Sequence, residues 1–146
     1  FPNSRTRARK WAENEAISGA NGDNVRLQIE TLDDEHVGNI NSTNTDPHMG
    51  TFSYGLIIRE EHRRKGYASE AIRLLLRYFF EELRYQKCTT QVYSFNTGSI
   101  KLHKSLGFTE EGCLRRMIYT AGEFHDSLWF GINREEFIAR YGKPSL

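Results

Sequence analysis

The chain has 146 residues, of which 38% are apolar and 27% charged, with 9 Phe, 7 Tyr and 2 Trp. That length is one domain by the usual measure, and so much apolar and aromatic material excludes disorder. Lys plus Arg is 20 against 19 Asp plus Glu, a net charge of +1, so no nucleic-acid partner is expected.

Residues 4–17 (SRTRARKWAENEAI) are strong helix formers with Ser4 as N-cap, and predict a first helix. Arg5, Arg7, Arg9 and Lys10 make it basic, either as a solvated face or as a rim for an acidic partner. Residues 25–32 put Val25, Leu27 and Ile29 on one face, a half-buried strand. After an Asp33-Asp34 turn, residues 36–41 read as its hairpin partner. Residues 41–47 read as a polar loop. Residues 51–59 (TFSYGLIIR) form a strand ending in a continuous apolar run, as buried strands do.

The longest helix follows. Ala68, Ala71, Ile72, Leu75, Phe79 and Leu83 recur at three- and four-residue spacing, and Leu74, Leu76 and Phe80 widen the stripe. Residues 87–95 are β-branched and aromatic, a strand. Residues 97–106 form a short helix closed by Gly107, and residues 113–132 two strands joined at Ala121-Gly122. Residues 134–141 are a last helix. Cys88 and Cys113 cannot supply a disulfide framework and read as buried free thiols, which fits a reducing cytoplasm. No apolar run approaches the ~20 residues of a membrane span, and there is no signal peptide. The chain opens with Phe1 rather than Met, so an upstream segment is expected.

The chemistry concentrates in IIREEHRRKGYASEA, residues 57–71, where a strand runs through a loop into the long helix. A helix N-terminus presents unpaired N–H groups and the positive end of its dipole. Gly66 and the small Ala68 let a phosphate approach that backbone, and Arg63, Arg64 and Lys65 add positive charge. This is an anion site for a phosphate or pyrophosphate, or else a helix start that happens to be basic. It is neither a Walker loop nor a G-x-G-x-x-G turn. Further on, Asn96, Ser99 and His103 are spaced by three and four at the start of the short helix. They form a face able to hydrogen-bond an amide-bearing ligand, or merely a helix cap and a surface histidine. His36, His48, His62, His103 and His125 lack compact ligand spacing, so no metal is expected.

Together these motifs carry a resemblance. Arg63-x-x-Gly66-x-Ala68 after an apolar strand resembles the acyl-CoA loop of the GNAT acetyltransferase superfamily, R/Q-x-x-G-x-G/A. Asn96-x-x-Ser99-x-x-x-His103-x-x-x-Gly107-Phe108 resembles that superfamily's N-x-x-S/A-x-x-x-Y-x-x-x-G-F. Gly112, Gly122 and Asp126 are similar to the branch holding ribosomal-protein N-terminal and spermidine acetyltransferases. Two departures stand out. The strand and helix that usually open the fold have no counterpart ahead of residue 4, and the tyrosine that protonates the leaving thiolate is His103 here.

The resemblance implies an α+β fold: a mixed, mostly antiparallel sheet flanked by helices and splayed between the strands at 56–59 and 87–95. It implies one N-acetyltransferase domain over residues 1–146, N-terminally incomplete, lacking its first strand. Acetyl-CoA would be the cosubstrate, its pantetheine arm paired near Leu56 and Ile58. Its pyrophosphate would rest on the loop from Arg63 through the amides of Arg64, Lys65, Gly66, Tyr67, Ala68 and Ser69. Asn96 would hold a pantetheine amide with Ser99 beside it, and His103 would be the catalytic proton donor. The implied reaction moves an acetyl group to a primary amine: a peptide N-terminus, a polyamine or a small-molecule amine. The alternative is a non-catalytic acyl-CoA-binding module on the same scaffold. Either is cytoplasmic, without membrane or nucleic-acid partners, and compatible with a homodimer.

Overall fold

The computed structural model describes the backbone of residues 6–12 and the whole of residues 23–142. Its contacts gather into two units, Phe1–Tyr85 and Gln86–Leu146.

In the first unit four strands pair in order and antiparallel: β1 (Thr6–Ala12), β2 (Val25–Thr31), β3 (His36–Asp46) and β4 (Thr51–Ile58). The first of these is a correction, because residues 4–17 were expected to be helical. Residues 6–12 instead pair one for one with β2, from Thr6↔Thr31 to Ala12↔Val25. Helix propensity is worth only tenths of a kcal/mol per residue, about 0.7 at most for ordinary residues, and a ladder that pairs the open edge of β2 outweighs it. The remainder of the expected helix, and Arg5 of its basic run, lie outside the described residues.

The polar loop expected at residues 41–47 is also mostly strand. Here the hydroxyls are used across the sheet: Ser42 is buried, and its Oγ accepts from the Val25 N–H at 2.8 Å. Polar composition therefore marked satisfied strand positions rather than a loop. In β4, Phe52, Tyr54 and Ile58 are buried, whereas Ile57 is 69% exposed, so its apolar run has one wet face.

The strand β4 is anchored by aromatics. Phe52 stacks on Phe79 with ring centroids 4.1 Å apart and meets Phe80 and Tyr85 edge-on. Helix α1 (Tyr67–Arg77) buries Ala71, Ile72, Leu75 and Leu76, as its spacing predicts. It then widens into a π turn over Tyr78–Glu82, closed by Leu83 N–H to Tyr78 O at 3.1 Å. The wider turn lets the adjacent Phe79 and Phe80 both enter the core.

In the second unit β7 (Glu123–Asn133) lies between β5 (Lys87–Tyr93) and β6 (Thr109–Thr120), antiparallel to both. The turn at Ala121-Gly122 has positive φ at both residues, the primed geometry that suits a hairpin. Helix α2 (Thr97–Leu106) ends on Gly107 at φ 104°, and α3 (Arg134–Tyr141) starts from a capping box of Asn133 and Glu136. Cys88 is buried as expected; Cys113 is exposed on β6 instead, its thiol donating to Asp126 Oδ2 at 3.6 Å.

Candidate functional site

The end of β4 leads into the loop. Arg59 N–H donates to Val37 O at 2.8 Å, and a single 3-10 turn spans Glu60–His62. Arg63 folds back so that its Nε donates to the Ile58 carbonyl at 3.1 Å. One of the three loop cations therefore braces the backbone that it follows. Arg64 and Lys65 are exposed.

The backbone then makes two left-handed residues close together, Arg64 at φ 64° and Gly66 at φ 88°. Gly66 is the N-cap of α1, and no side chain caps this end. The first backbone bond back to it comes from Glu70 N–H, at 3.1 Å. The amides of Tyr67, Ala68 and Ser69 thus belong to the orphan set that an 11-residue helix offers an anion. A Cβ built on Gly66 meets no atom within 4 Å, so the glycine is required by its φ and leaves open space above the amides. The Tyr67 side chain is buried, so at that position the backbone is what the site can use; Leu56, Ala68 and Ser69 are half-buried and Ile58 is buried.

Asn96, Ser99 and His103 belong to the second unit. Asn96 caps α2: its Oδ1 accepts from Ser99 N–H at 3.1 Å. That role leaves its Nδ2 to donate to a carbonyl. His103 is not at the surface. It is 4% exposed, edge-on to Phe108 and parallel to Phe130, with Nδ1 2.8 Å from the Ser99 carbonyl and 3.3 Å from Ser99 Oγ. The carbonyl can only accept, so Nδ1 carries the hydrogen. Burial pushes the imidazole pKa below its ordinary 6.5, and the bond to Ser99 only partly restores it.

One feature of the second unit was not foreseen. Between Leu114↔Ser127 and Ile118↔His125 the strand β6 carries more residues than its partner, a bulge that includes Arg116 at φ 58°. Asp126 holds it, accepting from Arg116 N–H at 2.9 Å through Oδ1 and from Cys113 through Oδ2. An open groove of about 700 Å³ runs along the bulge, lined by Cys113, Leu114, Arg115, Arg116, Met117 and Asp126. The available signal was the run LRRM, which breaks the alternation of a plain strand. Among the described residues no three His, Cys, Asp or Glu side chains are grouped to share a metal ion. No helix there is long and apolar enough to cross a membrane.

A family model described as an acetyltransferase (GNAT) domain matches residues 1–109. The SPbeta prophage-derived uncharacterized N-acetyltransferase YokL of Bacillus subtilis is 44% identical over 142 residues, 97% of this chain and 78% of that protein. The spermidine N(1)-acetyltransferase of Escherichia coli K12 is 28% identical over 91 residues, 62% of this chain and 49% of that enzyme. Among solved structures, a dodecameric spermidine N-acetyltransferase from Vibrio cholerae superposes with a TM-score of 0.84 at 19% identity. That match covers 95% of this chain and 99% of the other, and at such identity it speaks for the fold.

Proposed function

The chain belongs to the GNAT acetyltransferase family, and from that premise we propose that it moves the acetyl group of acetyl-CoA to a primary amine by direct attack. It is an acyltransferase, of a family that uses acetyl-CoA as cosubstrate. In the proposed step the amine nitrogen bonds to the thioester carbon, the C–S bond breaks, the nitrogen gives up a proton and the thiolate takes one.

The observation that carries this reading is the uncapped N-terminus of α1, entered through Gly66 in the left-handed region beside Arg64 and Lys65. In the first unit the amides of residues 64–69 take the pyrophosphate, with Leu56 and Ile58 along the pantetheine arm; the second unit, taken by itself, offers Asn96 Nδ2 as a donor suited to an amide carbonyl. For the amine, the open groove along the β6 bulge supports entry there: Leu114 and Met117 give exposed apolar surface, and Asp126 a carboxylate. The acceptor classes remain a peptide N-terminus, a polyamine or a small-molecule amine. The name of the Escherichia coli relative supports placing polyamines among them.

The test is release of free CoA thiol from acetyl-CoA against a panel of amines, with cofactor affinity measured separately by calorimetry. Amine-dependent thiol release is the expected result. Tight acetyl-CoA binding with no release for any amine would favour the second reading, an acyl-CoA-binding module. That reading draws on one observation, the buried His103 with its lowered pKa.

A further inference from the structure

The loop that enters α1 does not stand alone. His62 is 6% exposed, and its Nε2 lies 3.1 Å from Glu35 Oε2, in the turn between β2 and β3. A carboxylate accepts, so Nε2 carries the hydrogen and donates it. The other ring nitrogen, Nδ1, is enclosed and makes no hydrogen bond, so Glu35 is the imidazole's one polar commitment. The ring also meets Tyr67, the first residue of α1, edge-on at 6.0 Å. His62 therefore touches the segment before the loop, the helix after it and the hairpin turn.

That turn is itself fixed. Thr31 N–H donates to Glu35 O at 2.9 Å, and Thr31 Oγ1 accepts from Glu35 N–H at 3.1 Å. Next to it, His36 O and Val37 O accept from Arg59, at 3.4 and 2.8 Å. The loop flanking Gly66 is thus laced to three consecutive residues of the hairpin, and only Glu35 reaches it by a side chain.

We propose that Glu35 and His62 are positioning residues for cofactor binding, holding residues 63–69 in the shape that receives the pyrophosphate. The proposal rests on reading that loop as the acetyl-CoA site. Glu35 touches no ligand in it and acts through the His62 ring. Losing the carboxylate leaves a buried N–H unpaired, and the ring relaxes toward solvent, drawing Tyr67 and the helix start with it.

The experiment compares Glu35→Ala, Glu35→Gln and His62→Phe with the parent chain, measuring KM for acetyl-CoA, kcat at saturating cofactor, direct acetyl-CoA affinity and Tm. The Glu35 side chain is 60% exposed, so its replacement leaves the core intact. Glu35→Ala is expected to raise KM and Kd for acetyl-CoA about fivefold, the loss of one hydrogen bond, with kcat unchanged. Glu35→Gln keeps an acceptor for Nε2–H and should restore the parent KM. His62→Phe keeps the ring against Tyr67 without the donor and should behave as Glu35→Ala. A lower Tm with unchanged KM in both Glu35→Ala and His62→Phe would make the tie merely structural and overturn the proposal. Gly66→Val separates the two levels. If it weakens cofactor binding while the Glu35 and His62 variants do not, the tie alone fails; if it changes nothing either, the loop reading fails.

Discussion

At φ 88° the backbone of position 66 suits glycine, and a β-branched side chain there would be strained by about 1–2 kcal/mol. Gly66→Val should therefore weaken acetyl-CoA binding about tenfold, read by calorimetry, through reshaping the loop rather than by a clash within the protein. His103 answers to pH. Its folded pKa lies below 6.5, so between the two values the unfolded chain binds more protons than the native one. Stability then falls as pH drops through 6.5, and the fall from this group ends once the lowered folded pKa is passed. His103→Phe, which keeps the packing on Phe108 and Phe130, should lose less Tm than the parent between about pH 7.5 and about pH 5. Catalysis gives a second readout. As an imidazolium donor, His103 would give a kcat that falls as pH rises through its lowered pKa, and His103→Ala would cost roughly 10²-fold. His103→Tyr, with a phenol titrating at about 10, would hold its rate past neutrality. Equal profiles for the parent and His103→Ala would end the catalytic role.

At the scale of elements, legibility followed whether a signal was local. Helix α2 announced itself through Asn96 with Gly107, because caps act within a turn of the chain; the Asn133–Glu136 capping box that starts α3 is a signal of the same local kind. The strand β1 did not, since its conformation is set by β2, some twenty residues away in sequence. The outer half of β3 was hidden for a related reason: Ser42 and Thr45 look like loop residues until their partners Val25 and Asn24 are known. The β6 bulge belongs with these. Its extra residues are held by Asp126 from the neighbouring strand, which takes the Arg116 N–H and the Cys113 S–H. Asp126→Ala should lower the denaturant midpoint by about 1 kcal/mol of stability, with the slope unchanged. Asp126→Asn retains an acceptor for the Arg116 amide and should lose less. An equal loss in the two variants would mean that the carboxylate charge, not that amide bond, holds the bulge.

For the molecule as a whole, the motifs were readable because each is a local device that few residue types can supply: a left-handed backbone at Gly66, a side-chain cap at Asn96. The acceptor was not, since a binding surface is built from residues that only the fold brings together, which pattern alone does not reveal. Ligand linkage can test the cofactor reading without turnover. Cys88 is fully buried on β5 and burial pushes its thiol pKa up, whereas Cys113 is exposed. A disulfide reagent should label one thiol in the native protein and the second only as the chain opens, so the slow phase measures opening around β5. Asn96 belongs to the same unit as Cys88. If acetyl-CoA is held there, the native state of that unit is stabilised by RT ln(1 + [L]/Kd), about 2.7 kcal/mol at 100 Kd. With opening fast and reversible, the slow phase should then slow about 100-fold at that concentration. The Asn96→Ala variant should show less slowing at the same acetyl-CoA concentration, because its Kd is larger. A slow phase indifferent to saturating acetyl-CoA in the parent chain would remove the second unit from the cofactor site, leaving the loop of the first unit to be judged by Gly66→Val.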